Sequence, residues 1–300
     1  MEPDLMHRFR RLMVALSRTE FDAGLLAYAA TVARLGTAAE VRFAHVLPPG
    51  ADPDRVRVEM EKAVLPHFAD VPGRVTRSFE AAPGPLLDRL LELTAEHETD
   101  LLFLGHRPDH PGSAALARRL AMKAACSIWM VPDGSPAMLD RILVPVDFSE
   151  HTADALQVAA AMAKLAGKTE VLALHVYFND SRMIYEEYDR VLRGKEREAF
   201  DEFVAPLDLQ GIRVTPLFEQ GANVAHMINR VALEHAGDLV VMATRGRSRS
   251  AAILLGSVTE ETITETLVPL LVVKHYGAQL GILRALLEKG FRKKPGPQFD

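Results

Sequence analysis

The chain has 300 residues, a 48% hydrophobic share, a 25% charged share and a formal net charge of -5. Its length points to two domains, and the acidic balance argues against a general nucleic-acid binder. The single cysteine, Cys126, excludes an internal disulfide and a cysteine-built metal cluster, and with no signal-peptide core at MEPDLMHRFRR and no apolar run of membrane length the expectation is a cytoplasmic protein.

RLMVAL (11–16) is a short apolar run suited to a buried parallel strand. Small and apolar residues at helical spacing predict a helix over about 21–35, and EVRFAHVL (40–47) reads as the next strand. The pattern returns 130 residues later: RILVPV (141–146) repeats the first strand, Glu170-Val171 repeats Glu40-Val41, and His175-Val176 repeats His45-Val46. Further on, His97, Asp100, Leu101 and Arg107 match His235, Asp238, Leu239 and Arg245 at an offset of 138, so extra length is expected in the second copy around 177–209.

Each copy predicts five strands alternating with helices, near 10–17, 39–47, 73–80, 100–105 and 127–132, then 140–147, 169–177, 211–219, 238–244 and 269–275. Such alternation means a parallel sheet with helices on both faces. The predicted fold class is α/β, with two tandem doubly wound domains, each a five-stranded parallel sheet. Ligands in such a fold sit beyond the carboxyl ends of the strands, at a switch point. The predicted domains are 1–134 and 139–276, separated by a short Pro-, Gly- and Ser-bearing linker over 132–139. The last strands, SIWMVP and PLLVVKHY, would leave bare apolar edges. They are expected to pair with each other within the chain or with another chain, and a homodimer through the last-strand edges is anticipated. In the tail, 277–300, Leu280, Leu283, Leu287 and Phe291 share a helical face. That face suits docking on its own domain or contact with a protein partner or membrane surface.

The chemistry gathers at Asp238 to Ser257. A strand runs into a loop bearing Arg245, Arg247 and Arg249, with Gly246 and Gly256 at its ends, and Gly256-Ser257 opens a helix. Loop and helix-terminal N–H groups with the helix dipole resemble a phosphate cradle. The same residues have a plainer reading: Ser257 and Glu260 form S-x-x-E, a capping box, and Gly256 permits a tight turn. Asp147 closes the first strand of the second copy and suits either a ligand contact or a cap of the following helix.

Other candidates carry less. Gly167-Lys168-Thr169 resembles the end of a Walker A loop, but it follows a helix and precedes a strand, so it reads as a surface turn. His106 and His110 flank a Pro-rich loop with Asp109 between them and read as solvated, as do Arg118, Arg119 and Lys123 on a helix face. The matched His45 and His175 point to a shared role in the fold. No nucleophile–base set is supported by spacing, and neither a catalytic residue nor a metal ligand is assigned.

These residues resemble a tandem universal stress protein of the UspA type, over most of 8–276. In the second copy the likeness rests on ILVPVDFSE (142–150), LHV (174–176), GDLVVMATRGR (237–247), LLGSVTEETI (254–263) and VPLLVVK (268–274). It implies an adenine nucleotide alpha-hydrolase-like fold. Nucleotide-binding members carry G-x2-G-x9-G-S/T; here Ala243 takes the first position, Gly246 and Gly256 the next two, and Ser257 completes it. The resemblance implies an ATP site with Mg2+ bridging phosphates. Pro145, Val146 and Asp147 would lie toward ribose and adenine, with the Val176 backbone at the adenine edge. Met242, Ala243, Arg245 and Gly246 would approach the phosphates from one side, and Gly256, Ser257 and Val258 from the helix end. The first copy has Ser17 for Asp147 and Pro108 for Gly246, and so resembles a partner domain that has lost the site. The implied role is a nucleotide-linked regulator or scaffold in the stress response. A slow ATPase or self-phosphorylating protein, and a scaffold without nucleotide, are the alternatives.

Overall fold

A computed structural model describes residues 9–36, 38–107, 110–178, 186–244 and 255–274, leaving aside the side chains of Pro111 and of 186–192. In the first half, β1 (Arg11–Ala15), α1 (Asp22–Leu35), β2 (Glu40–Leu47) and α2 (Pro53–Val64) come first. A 3-10 turn (Leu65–Phe68), β3 (Thr76–Pro83), α3 (Leu86–Glu96), β4 (Leu101–His106), α4 (Pro111–Lys123) and β5 (Ser127–Pro132) follow. The second half repeats the order: β6 (Ile142–Pro145), α5 (Glu150–Leu165), β7 (Glu170–Tyr177), α6 (Glu186–Val204), β8 (Arg213–Gln220), α7 (Val224–Glu234), β9 (Leu239–Ala243), α8 (Ser257–Glu265) and β10 (Leu270–Val273). The third strand lies further along the chain than the expected 73–80, because Pro72 and Gly73 are spent on the turn before it. The extra length of the second half falls between β7 and β8, and part of it is helical: α6 has 19 residues where α2 has 12 and the 3-10 turn after it 4.

The strands form one ten-stranded sheet in the order β3-β2-β1-β4-β5-β10-β9-β6-β7-β8. All pairings inside each half are parallel. The halves join through one antiparallel pair, β5 with β10, in which Trp129 faces Leu271. The expected homodimer through last-strand edges is therefore corrected: these apolar edges satisfy each other within the chain. Among the described residues the outer edges of the sheet are β3 and β8. Pro216 lies within β8, and a residue without N–H suits a strand with one neighbour and protects that edge.

One core lies under α1, α2, α5 and α6, the other under α3, α4, α7 and α8. Both continue across the seam. Trp129, fully buried, stacks on Phe103 at 5.3 Å and tilts against Tyr28 at 5.8 Å. The Tyr28 hydroxyl lies 3.2 Å from the carbonyls of Met138 and Asp238, tying α1 to the linker and to the start of β9. Burial, with the negative charge of Asp238 adding to it, raises its pKa. The paired Asp100 and Asp238 have one structural task. Asp100 accepts the N–H groups of Arg10 and Arg11, and Asp238 those of Asp140 and Arg141, each clipping the first strand of its half.

Candidate functional site

The sheet's second switch point lies between β6 and β9. In the first half, β1 and β4 stay in register from Leu12/Leu101 to Ala15/Leu104. In the second, β6 and β9 pair only at Ile142/Leu239 and Leu143/Val240, then part. Pro145 supplies a reason. The N–H of Val146 points to Leu174 of β7, so the alternating residue Pro145 faces β9, and it has no N–H to give. The two strands thus part toward their carboxyl ends, where a doubly wound sheet forms its ligand crevice.

Its β6 wall is a tight turn. Phe148 has a left-handed backbone, φ 62°, as does Arg18 at the matching place of the first half. Asp147 Oδ1 accepts the Ser149 N–H and the Thr152 hydroxyl, both at 3.1 Å. Ser149, not Asp147, is the residue whose side chain caps α5. His175 reaches the Val146 carbonyl through Nδ1 at 2.9 Å, and His45 reaches that of Leu16 at 2.8 Å. The matched histidines therefore clasp the end of the first strand in each half. Val176, next in β7, pairs with Glu219. His175 also stacks on Phe148 at 4.2 Å and lies 3.2 Å from Glu196 of α6.

The opposite wall is the end of β9 and the start of α8. Met242 and Ala243 are buried, the methyl of Ala243 in the core on the α5 side. The Gly256 N–H bonds the Thr244 carbonyl at 2.8 Å, and the Thr259 hydroxyl bonds the Ala243 carbonyl at 3.0 Å. These two bonds tie the helix to the strand. Gly256 is the N-cap, without a side-chain cap, and Ser257 is the first helical residue. The expected S-x-x-E capping box is not formed, because Ser257 lies one position too far along. Gly256 also spends on Thr244 the N–H expected to face phosphate. The next donors, at Ser257 and Val258, have no acceptor within the helix by its geometry. Arg245, Gly246, Arg247 and Arg249 lie outside the described residues.

In the first half the matching positions are filled differently. The Asp147/Thr152 pair is inverted to Ser17/Asp22, and Asp22 accepts Ser17 N–H at 3.0 Å, Ser17 Oγ at 2.8 Å and Arg18 N–H at 2.7 Å. Across the switch point Arg107 lies over the Phe21 ring at 5.2 Å from its centre. Pro108 and Asp109 are outside the described residues. His106, expected to be solvated, is instead buried at the end of β4, with Nδ1 2.9 Å from Ser113 Oγ. Burial holds its pKa below the ordinary histidine value.

Other expectations separate in space. Gly167-Lys168-Thr169 is a turn at the amino end of β7, where Gly167 has φ 70° and Lys168 pairs with Asp140 at 2.6 Å. These residues line an open hollow of about 500 Å³ at the strand starts, away from the crevice. Arg118 is not simply solvated; it pairs with Glu260 of α8 at 3.1 Å. Cys126 is fully buried, and its thiol is pushed up to about 12.

The family model described as Universal stress protein family matches residues 138–274. A universal stress protein of Methanocaldococcus jannaschii, MJ0577, is 30% identical over 160 residues, covering 46% of this chain and 96% of that protein. The chain belongs to the universal stress protein family. A second member, from Thermus aquaticus, is 30% identical, covering 46% of this chain and 100% of its own. Among solved structures, a universal stress protein from Archaeoglobus fulgidus covers 90% of this chain and 98% of its own, with 19% identity and a TM-score of 0.61. That likeness concerns the fold. Among the described residues no helix is long and apolar enough to cross a membrane.

Proposed function

We propose that the second half binds ATP with Mg2+ at the β6/β9 crevice, one nucleotide per chain, and that the protein acts as a nucleotide-linked regulator or scaffold. The observation that carries this is the opening of the sheet after Leu143 and Val240, with the start of α8 on one side and Asp147 on the other. The N–H groups at Ser257 and Val258 and the helix dipole suit phosphate. Asp147, held by Ser149 and Thr152, suits a ribose hydroxyl as acceptor. Pro145, Val146, Val176, Met242 and Ala243 provide the floor, and Arg245 and Gly246 follow in the loop. Mg2+ would enter with the nucleotide and offset part of the phosphate charge. In the first half Asp22 spends its carboxylate on the loop and Arg107 covers Phe21, which supports a single site.

Calorimetry with MgATP on the native chain and on Gly256→Asp tests this. Aspartate is a good N-cap, so the variant keeps its helix while placing a carboxylate where phosphate would lie. Saturable binding near one site per chain, lost in the variant, is expected. No binding by a folded native chain sinks the reading, and two sites would contradict the account of the first half.

A further inference from the structure

The antiparallel seam makes the chain a pseudo-symmetric pair, and one contact across it joins equivalent positions of opposite charge. Leu102 pairs with Ile128 as Val240 pairs with Leu270, so Trp129 and Leu271 are equivalent and face each other. The matched helices α4 and α8 end at Ala124 and Thr266, each returning its N–H to the last turn. Arg118 and Glu260 stand at the same distance ahead of these ends. They meet at 3.1 Å where α4 and α8 pack together. Two first halves in this arrangement would set Arg118 against Arg118, and two second halves Glu260 against Glu260. Only unlike halves give attraction.

Glu260 lies in the first turn of α8, the turn that opens the crevice. A carboxylate there is favoured by the helix dipole, but it competes with any other anion at the same terminus. From the physical arrangement we infer that Arg118 of the first half is a positioning residue for the phosphate end of the second: it draws off the charge of Glu260, so that α8 keeps its attraction for phosphate. The half without a site thereby tunes the half that has one. The inference rests on the nucleotide reading above.

The test is MgATP affinity of the full chain by calorimetry, for the native protein, Arg118→Ala, Arg118→Lys, Glu260→Gln and the double variant Arg118→Ala/Glu260→Gln. The pair is partly exposed, so effects are of the order of two- to fivefold. Arg118→Ala should weaken binding by about that factor, and Arg118→Lys should stay near native. Glu260→Gln should bind as tightly as native or tighter, and the double variant should match Glu260→Gln. The Arg118→Ala deficit should shrink in high salt, as screening predicts. A merely structural contact would make both single variants weaker and the double variant weaker still. That pattern, or equal affinities across the set, overturns the inference while leaving the nucleotide site intact. A native chain that binds no MgATP overturns both.

Discussion

His106 shows how far one position changes with its surroundings. It closes a short strand and precedes Arg-Pro-Asp, yet its ring is bonded to Ser113 in the first turn of α4 and 1% exposed. Desolvation disfavours the imidazolium and places the folded-state pKa below the ordinary value of about 6.5. The unfolded chain then binds the proton more readily. This group's contribution to stability is thus fully present above about 6.5 and is lost as the pH falls from there toward the folded-state value. Denaturant midpoints at about pH 7.5 and about pH 5.5 should show a loss in the native chain that is smaller in His106→Gln. An equal loss in both would assign the acid sensitivity elsewhere.

At the scale of elements, the crevice depends on how α8 is tied to β9. The Thr259 hydroxyl is buried and bonds the Ala243 carbonyl, at the near end of the loop that leaves β9. Replacing it with valine keeps the volume but leaves that carbonyl unsatisfied. Thr259→Val should cost about 1–3 kcal/mol in equilibrium unfolding, and it should weaken MgATP binding by loosening the helix start. A variant as stable as the native chain would mean that water or the loop replaces the bond. The strand that faces α8 across the crevice is shaped by Pro145, which denies β9 one ladder bond where Ala15 in the first half can still offer it.

At the scale of the whole molecule, the described strands form one sheet with two apolar layers that run through its centre. Trp129 lies on the seam strand, fully buried against Phe103 and Tyr28. Trp129→Ala should destabilise by about 3–5 kcal/mol, and the loss should reach both halves because β5 and β10 share their ladder. The check is denaturant unfolding followed by far-ultraviolet dichroism and by exchange protection in the second half. A loss confined to the first half would mean that the seam does not couple them. The same continuity allows Arg118 in the first half to meet Glu260 in the second.

The sequence alone determined the repeat, the strands and the family. Buried parallel strands are apolar runs with a short period, and RLMVAL and RILVPV carry that signal locally. The candidate residues at the switch point were also legible, because ILVPVD and the Gly256-Ser257 helix start are contiguous. Ser17 marked the altered first half, but the transfer of the carboxylate to Asp22 was not legible, since it depends on which side chain the turn directs inward. Nor did S-x-x-E reveal that Gly256 rather than Ser257 would be the N-cap. Tertiary structure alone decided that the last strands pair with each other, that His106 is buried, and that Arg118 meets Glu260. Those outcomes join residues far apart in the chain, and their energies come from burial and charge across a seam that no local pattern encodes.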